Sequence, residues 1–389
     1  MLFRRLSLAA LLMGSAAAAT TPLLPPAPPV VPIPAPFEPL AEPAAAIHLT
    51  PGTCGAATAT PTLTASALPP VVSGRVSFYG AIYDSAGKPV RAITHGNVND
   101  LHPLASAFKS LVVQAMFREI DAGKYKLTTK FTTTPANRSI EAYPAGTNSL
   151  YDLARRTIYN SDNTASDILH LAYGPGRLAR ETRKSSPCTS VMLTTKAWWS
   201  AQSGLIPEVV PVDPFTLNTL PTAAAYARQP LEERILTANR IIKASQTVAG
   251  PKLEKDLDLY FFGPAYTPEL EFYVQNMSTA SAYTDLMAKT LSGVNLQPAT
   301  RRVFRELMAT GCCRPKQPVL KTKYWAAKAG SGWRLLTLTG YLELPGGQVM
   351  AYTYLNDQSD ARHAQTIEKQ IRPLVLWIEQ NLLTLRDGT

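Results

Sequence analysis

Strand-type alternation sits at the two ends of this 389-residue chain, and that distribution constrains its fold more than any other feature. Near the front, residues 75–83 alternate, with Val76, Phe78 and Ile82 on one side. Residues 84–89 have the composition of a turn, and 90–94 return as a second strand. Near the back, 324–329, 334–344 and 349–356 read as three more strands, the last two joined through Pro345-Gly346-Gly347. Helical periodicity dominates the long middle. One antiparallel sheet assembled from both chain ends satisfies this pattern most simply, giving an α/β chain of the α+β kind with an inserted, all-helical lobe. The helix after the first hairpin and the tail helix are expected to face the sheet. The tail, 361–383, carries Ile367, Ile371, Leu374, Trp377, Ile378 and Leu382 on its apolar side, and Pro373 is expected to kink it. The boundaries predicted are 71–123 and 314–389 for the sheet lobe and 124–313 for the helical lobe. A looser insertion occupies 187–268, with one clear helix at 231–244.

The first seventy residues are of a different kind. Arg4 and Arg5, an apolar 6–13 stretch and Ala17-Ala18-Ala19 predict a secretory signal over 1–19, cleaved near Ala19. That run is too short to span a membrane, and no later stretch is long and apolar enough. Residues 20–70 are rich in Ala, Pro and Thr, which offer little to bury, so an extended, disordered linker is predicted. Residues 71–389 are then ample for one large domain. These features point to a secreted, periplasmic or envelope-associated protein, a monomer without stable membrane insertion.

The formal charge of +10 is scattered among acids rather than gathered in a patch, which argues against a nucleic-acid partner. Cys54, Cys188, Cys312 and Cys313 show no zinc-type spacing, so no metal or other cofactor is expected. Export favours a disulfide, Cys188 with Cys312 or Cys313, while a vicinal Cys312–Cys313 bridge would be strained and free thiols are an alternative. None of the five histidines lies in a Gly-x-Ser-x-Gly context.

The chemistry concentrates at Ser106-Ala107-Phe108-Lys109, at the start of a helix with apolar Leu104, Phe108, Leu111, Val112, Ala115, Met116 and Ile120, ended by Gly123. Residues three apart share a helix face, so Lys109, if its pKa is depressed, can take the Ser106 proton. A second Ser-x-x-Lys, Ser85 to Lys88, falls in the turn and has no such helix to hold it. Ser149-Leu150-Tyr151-Asp152 predicts a capped helix start. Ser161-Asp162-Asn163 follows it, then a helix running to Gly174. Lys328-Ala329-Gly330 lies on a late strand, and Ser331 comes next.

Three motifs in this order, Ser-x-x-Lys, Ser-Asp-Asn and Lys-Ala-Gly, resemble those of class A β-lactamases and penicillin-binding proteins. Ser161 to Ala165, the Gly174-Pro175 ending and the strand-plus-helix tail extend the resemblance. It implies Ser106 as nucleophile, Lys109 as base or relay, and Ser161 and Lys328 as the path of a proton to the leaving nitrogen. Lys328 is also implied to lower Lys109 by like charge and to attract a substrate carboxylate. Asn163, Gly330 and Ser331 become substrate-binding, and the N–H groups of Ser106 and Ser331 an oxyanion hole. The Thr of Lys-Thr-Gly is Ala329 here, and Ser331 can substitute for its hydroxyl. Thr267-Pro268-Glu269-Leu270-Glu271 resembles the family's Glu-Pro-Glu-Leu-Asn loop with Thr267 in the base's place, leaving Glu271 as the candidate deacylating base, Glu269 beside it, or both as surface acids. The activity implied is β-lactam hydrolysis through an acyl-enzyme. D-alanyl-D-alanine peptidase or amidase action on cell-wall peptides, or penicillin binding without turnover, are the alternatives; each takes a small-molecule or peptide substrate.

Overall fold

A computed structural model describes residues 54–55 and 60–388. The signal at 1–19 and most of the linker lie outside the described residues. Across the six-stranded sheet the order is Thr62–Thr64, Pro89–His95, Arg75–Tyr83, Val349–Asp357, Leu335–Glu343, Tyr324–Gly332. The five longer strands are antiparallel, and front meets back where Arg75–Tyr83 pairs along its whole length with Val349–Asp357. The sixth, Thr62–Thr64, adds in parallel to Pro89–His95, inside the stretch expected to be linker. Order therefore begins before residue 71. Leu63 packs at the sheet margin, Ala65 is buried, the Ser66 N–H donates to Asn381 and Trp377 Nε1 donates to the Ser66 carbonyl. Short apolar side chains suffice at a sheet edge where the partner strand supplies the hydrogen bonds.

Each face of the sheet has its own helix. The tail helix Ile371–Asp387 lays Leu374, Trp377, Ile378 and Leu382 on Phe78, Ile82, Tyr352 and Tyr354. Its chain enters through Ala364–Ile367 and a tight turn at 368–370, so Pro373 sits in the first turn of the long helix. There its missing N–H costs nothing, and no kink is needed at that point. The opposite face is covered by Ala280–Ser292, against the three central strands. The helix Lys109–Asp121 was expected in that place. Instead nine consecutive residues, Lys109 to Phe117, are buried, and it runs through the middle of the helical lobe against Leu150–Tyr159, Asn163–Tyr173 and Pro298–Met308. A helix enclosed on every side has no solvent stripe to reveal which neighbour it faces.

Ser149 caps its helix by accepting the Asp152 N–H at 3.1 Å. The insertion holds four helices rather than one: Thr195–Gln202, Leu220–Arg228, Leu231–Ser245 and Gly250–Phe262. The cysteines pair Cys54–Cys188 and Cys312–Cys313, so Cys188 is not joined to the late cysteines. The first bridge ties the front of the described chain to the start of the insertion. Among the described residues no helix is long and apolar enough to cross a membrane.

Candidate active site

Ser106 lies in a tight helical turn, Ala105–Phe108, that leads directly into Lys109–Asp121. Ala105 holds a left-handed φ of 42°, a conformation that costs an alanine free energy and recurs at reactive sites. The strand Tyr324–Gly332 runs past this turn so closely that a Cβ on Gly330 would meet the Ser106 nitrogen at 2.5 Å. Glycine is required here by clearance.

Lys109 is fully buried, and its Nζ donates to the Ser161 carbonyl at 2.5 Å and to Asn163 Oδ1 at 2.7 Å, with Ser161 Oγ at 3.4 Å. Ser161 takes a φ of 57°, which turns its carbonyl and hydroxyl inward together. Asp162 is the N-cap of Asn163–Tyr173, accepting the Ala165 N–H, and Arg156 pairs with it. Lys328, on the central part of its strand, donates to Ser161 Oγ at 2.9 Å and to the Ala329 carbonyl. One hydroxyl thus stands between two buried lysines. Burial lowers Lys109 to about 8 against the raising pull of Asp167, Glu141 and Asp162. Burial, then the charge of Lys109, carries Lys328 well below its usual range. Like charge opposes both lysines being cationic at once, beside the hydroxyl they share.

Asn163 is committed at both ends, since its Nδ2 donates to Glu141 Oε2 at 2.9 Å while its oxygen receives Lys109. Its first task is to hold the lysine. Ser331 Oγ donates to Glu368 Oε1 at 2.5 Å. Ser106, Ser161, Asn163, Ser331, Glu141, Glu368 and Trp333 line one cavity of about 330 Å³.

Behind Ser106 lies a second, much smaller space of about 10 Å³, lined by Ser106, Glu271, Gln275, Trp198, Trp199 and Trp333 among others. It has room for about one water. Glu271 opens the short helix Glu271–Val274 and is buried. Burial, with Asp357 adding, raises its carboxyl to about 8. Gln275 Oε1 is buried with no hydrogen-bond partner among the described residues. Thr267, in the aligned base position, is turned to the insertion, accepting from Asn218 Nδ2 at 2.8 Å. Glu269 borders neither space. Of the two candidate acids, the fold brings only Glu271 to Ser106.

Sequence reading missed the aromatic roof. Phe261 stacks on Trp333 at 4.0 Å and Phe262 on His363 at 4.8 Å, so the Gly250–Phe262 helix spans from the insertion to the sheet lobe. It also missed Glu141, Gln275 and Glu368, which carry no motif. The adjacent Trp198-Trp199 pair was the one available signal. Ser77, His102 and Asp357 form a hydrogen-bonded chain, Ser77 Oγ to His102 Nε2 at 2.8 Å and His102 Nδ1 to Asp357 at 2.7 Å. All three are buried, and Ser77 donates to the Asn97 carbonyl. This triad pins the strand that leads to Ser106 and has no access to a substrate.

A model of the β-lactamase enzyme family matches residues 91–186, the segment holding Ser106, Lys109, Ser161 and Asn163. Among solved structures, a β-lactamase from Xanthomonas campestris pv. campestris aligns at 16% identity and TM-score 0.51, over 80% of this chain and 93% of its own. The chain has the β-lactamase fold. A β-lactamase from Chitinophaga pinensis aligns at 17% identity and TM-score 0.49, over 79% of this chain and 94% of its own. The penicillin-binding protein PBP-A follows at 16% and 0.48, over 80% and 92%. No curated protein matches the sequence. Family match and fold together support a hydrolase of the β-lactamase kind.

Proposed function

We propose that the chain is an exported serine hydrolase that opens β-lactams through an acyl-enzyme on Ser106. The observation that carries this reading is the buried Lys109–Ser161–Lys328 relay beside Ser106, with Gly330 packed against the nucleophile's own N–H. Ser106 Oγ attacks the lactam carbonyl and its proton passes to neutral Lys109. A proton returns through Ser161, bonded to Lys328, to the lactam nitrogen as the C–N bond breaks. The Ser106 N–H, joined by that of Ser331, faces the developing oxyanion. Water held between Glu271 and Gln275 then attacks the ester. Glu271 takes its proton, and Ser106 Oγ leaves reprotonated. Export rests on the leader-like sequence at 1–19 and is supported by the Cys54–Cys188 bridge.

Mass spectrometry during exposure to benzylpenicillin tests this reading. A transient adduct confined to Ser106, with released penicilloate, is expected. An unlabelled protein, or one labelled equally as Ser106→Ala, refutes it. One observation favours a second reading, penicillin binding with little turnover: Glu271, raised to about 8, is largely protonated at pH 7 and idle as a base. An adduct that persists for hours at pH 7 and also at pH 9 identifies that case.

A further inference from the structure

Resting on the acyl-enzyme reading, we propose that Glu368 is a specificity-determining residue: bonded to Ser331 at the cleft, it slows acylation by donors that carry a carboxylate there relative to their esters. A serine hydroxyl at the end of a strand, on the wall of the nucleophile's cavity, is a donor that a substrate carboxylate can use. In this chain that donor is already engaged. The Ser331 hydroxyl, the donor that Ala329 cannot supply, is given to Glu368 Oε1 at 2.5 Å. Glu368 sits in the turn between Ala364–Ile367 and Ile371–Asp387, on the same cavity wall as Ser106, Ser161 and Ser331. Its charge reaches both Lys328 and Glu141. Lys328, buried and facing Lys109, is in turn poorly placed to stay cationic for an anionic substrate. Glu141 and Asp258 also line this cavity. A carboxylate would have to displace Glu368 from Ser331 and sit beside it. An ester, amide or ammonium at that position meets no such opposition, and a donor group there can bond Glu368 directly.

The experiment uses a probe pair that differs at this one group: benzylpenicillin and its methyl ester. Rates of Ser106 acylation are read by intact mass spectrometry on the full chain. The acid-to-ester rate ratio cancels the intrinsic reactivity of the lactam. Glu368→Gln is expected to raise that ratio about tenfold over wild type, and Glu368→Asp to keep it near wild type, since like charges a few ångströms apart in partly exposed surroundings oppose each other on about this scale. Glu368 is exposed, so neither change endangers folding. A ratio unmoved by Glu368→Gln overturns the role of Glu368 alone. If neither probe labels Ser106 in wild type, the nucleophile assignment falls, and the specificity with it.

Discussion

The two sides of Ser106 are built on different principles. On the cavity side, Lys109, Ser161, Asn163 and Lys328 form a continuous hydrogen-bonded chain, each member held by at least one other. On the other, Glu271 and Gln275 border a space for about one water, and Gln275 Oε1 has no hydrogen-bond partner among the described residues. The first is a finished network, rigid and fully connected. The second is a small buried recess whose carboxyl is raised by burial. The contrast teaches that acyl-enzyme formation and its hydrolysis are separately engineered here, and a change on one side should leave the other largely intact.

The sharpest way to break the comparison is Ser106→Ala, which should abolish covalent labelling while leaving the thermal midpoint nearly unchanged; Ser85→Ala should alter neither labelling nor midpoint. Labelling that survives Ser106→Ala removes the common point of the two sides. Gly330→Ala comes next. Its Cβ would press on the Ser106 nitrogen, so the acylation rate should fall by about 10²-fold or more through misplacement alone. Stopped-flow acylation at normal speed would show that the turn yields freely.

Glu271→Gln probes the other side by itself. Acylation should persist while adduct loss slows by about 10²-fold, the lower end of what a positioned base contributes. Glu269→Gln and Thr267→Ala should lose the adduct at the wild-type rate. If Glu271→Gln deacylates normally, the small space behind Ser106 is not the site of hydrolysis.

A pH series sharpens the distinction with a smaller effect. Glu271 acts only when ionised, and burial sets it at about 8. Adduct loss should therefore rise about tenfold per unit as pH climbs toward 8 and level off above it. Acylation needs neutral Lys109, also near 8, and should rise over the same range. Glu271→Gln should erase the pH dependence of adduct loss and leave that of adduct formation. The smallest effect concerns the framework. Cys54→Ser, or a chain beginning at Val71, should keep acylation but lose about 2–4 kcal/mol by chemical denaturation, because the bridge to Cys188 constrains a long loop. A chain beginning at Val71 with undiminished stability would show that the edge strand Thr62–Thr64 contributes nothing.

Much of this protein was legible along the chain because the determinants are local. Strands such as Arg75–Tyr83 declare themselves by alternation, Pro298–Met308 by helical period, and the Ser149 cap by a four-residue pattern. Ser106 with Lys109, and Ser161 with Asn163, were readable for the same reason: each pair is set by neighbours on one turn. What joins the pairs was not. Lys328 meets Ser161 only through the tertiary fold, and no local pattern encodes how deeply either lysine is buried. Glu368 and Gln275 carry no motif, and their meaning arises from Ser331 and Glu271 standing opposite. Residues 60–70 looked unstructured because a short edge strand is stabilised by its partner rather than by its own side chains. Sequence determined the elements and the reactive pairs, which depend on adjacency and periodicity. The tertiary structure alone decided burial, the spacing of charges and the fit of the insertion over the cleft, because these depend on residues distant in the chain meeting in space.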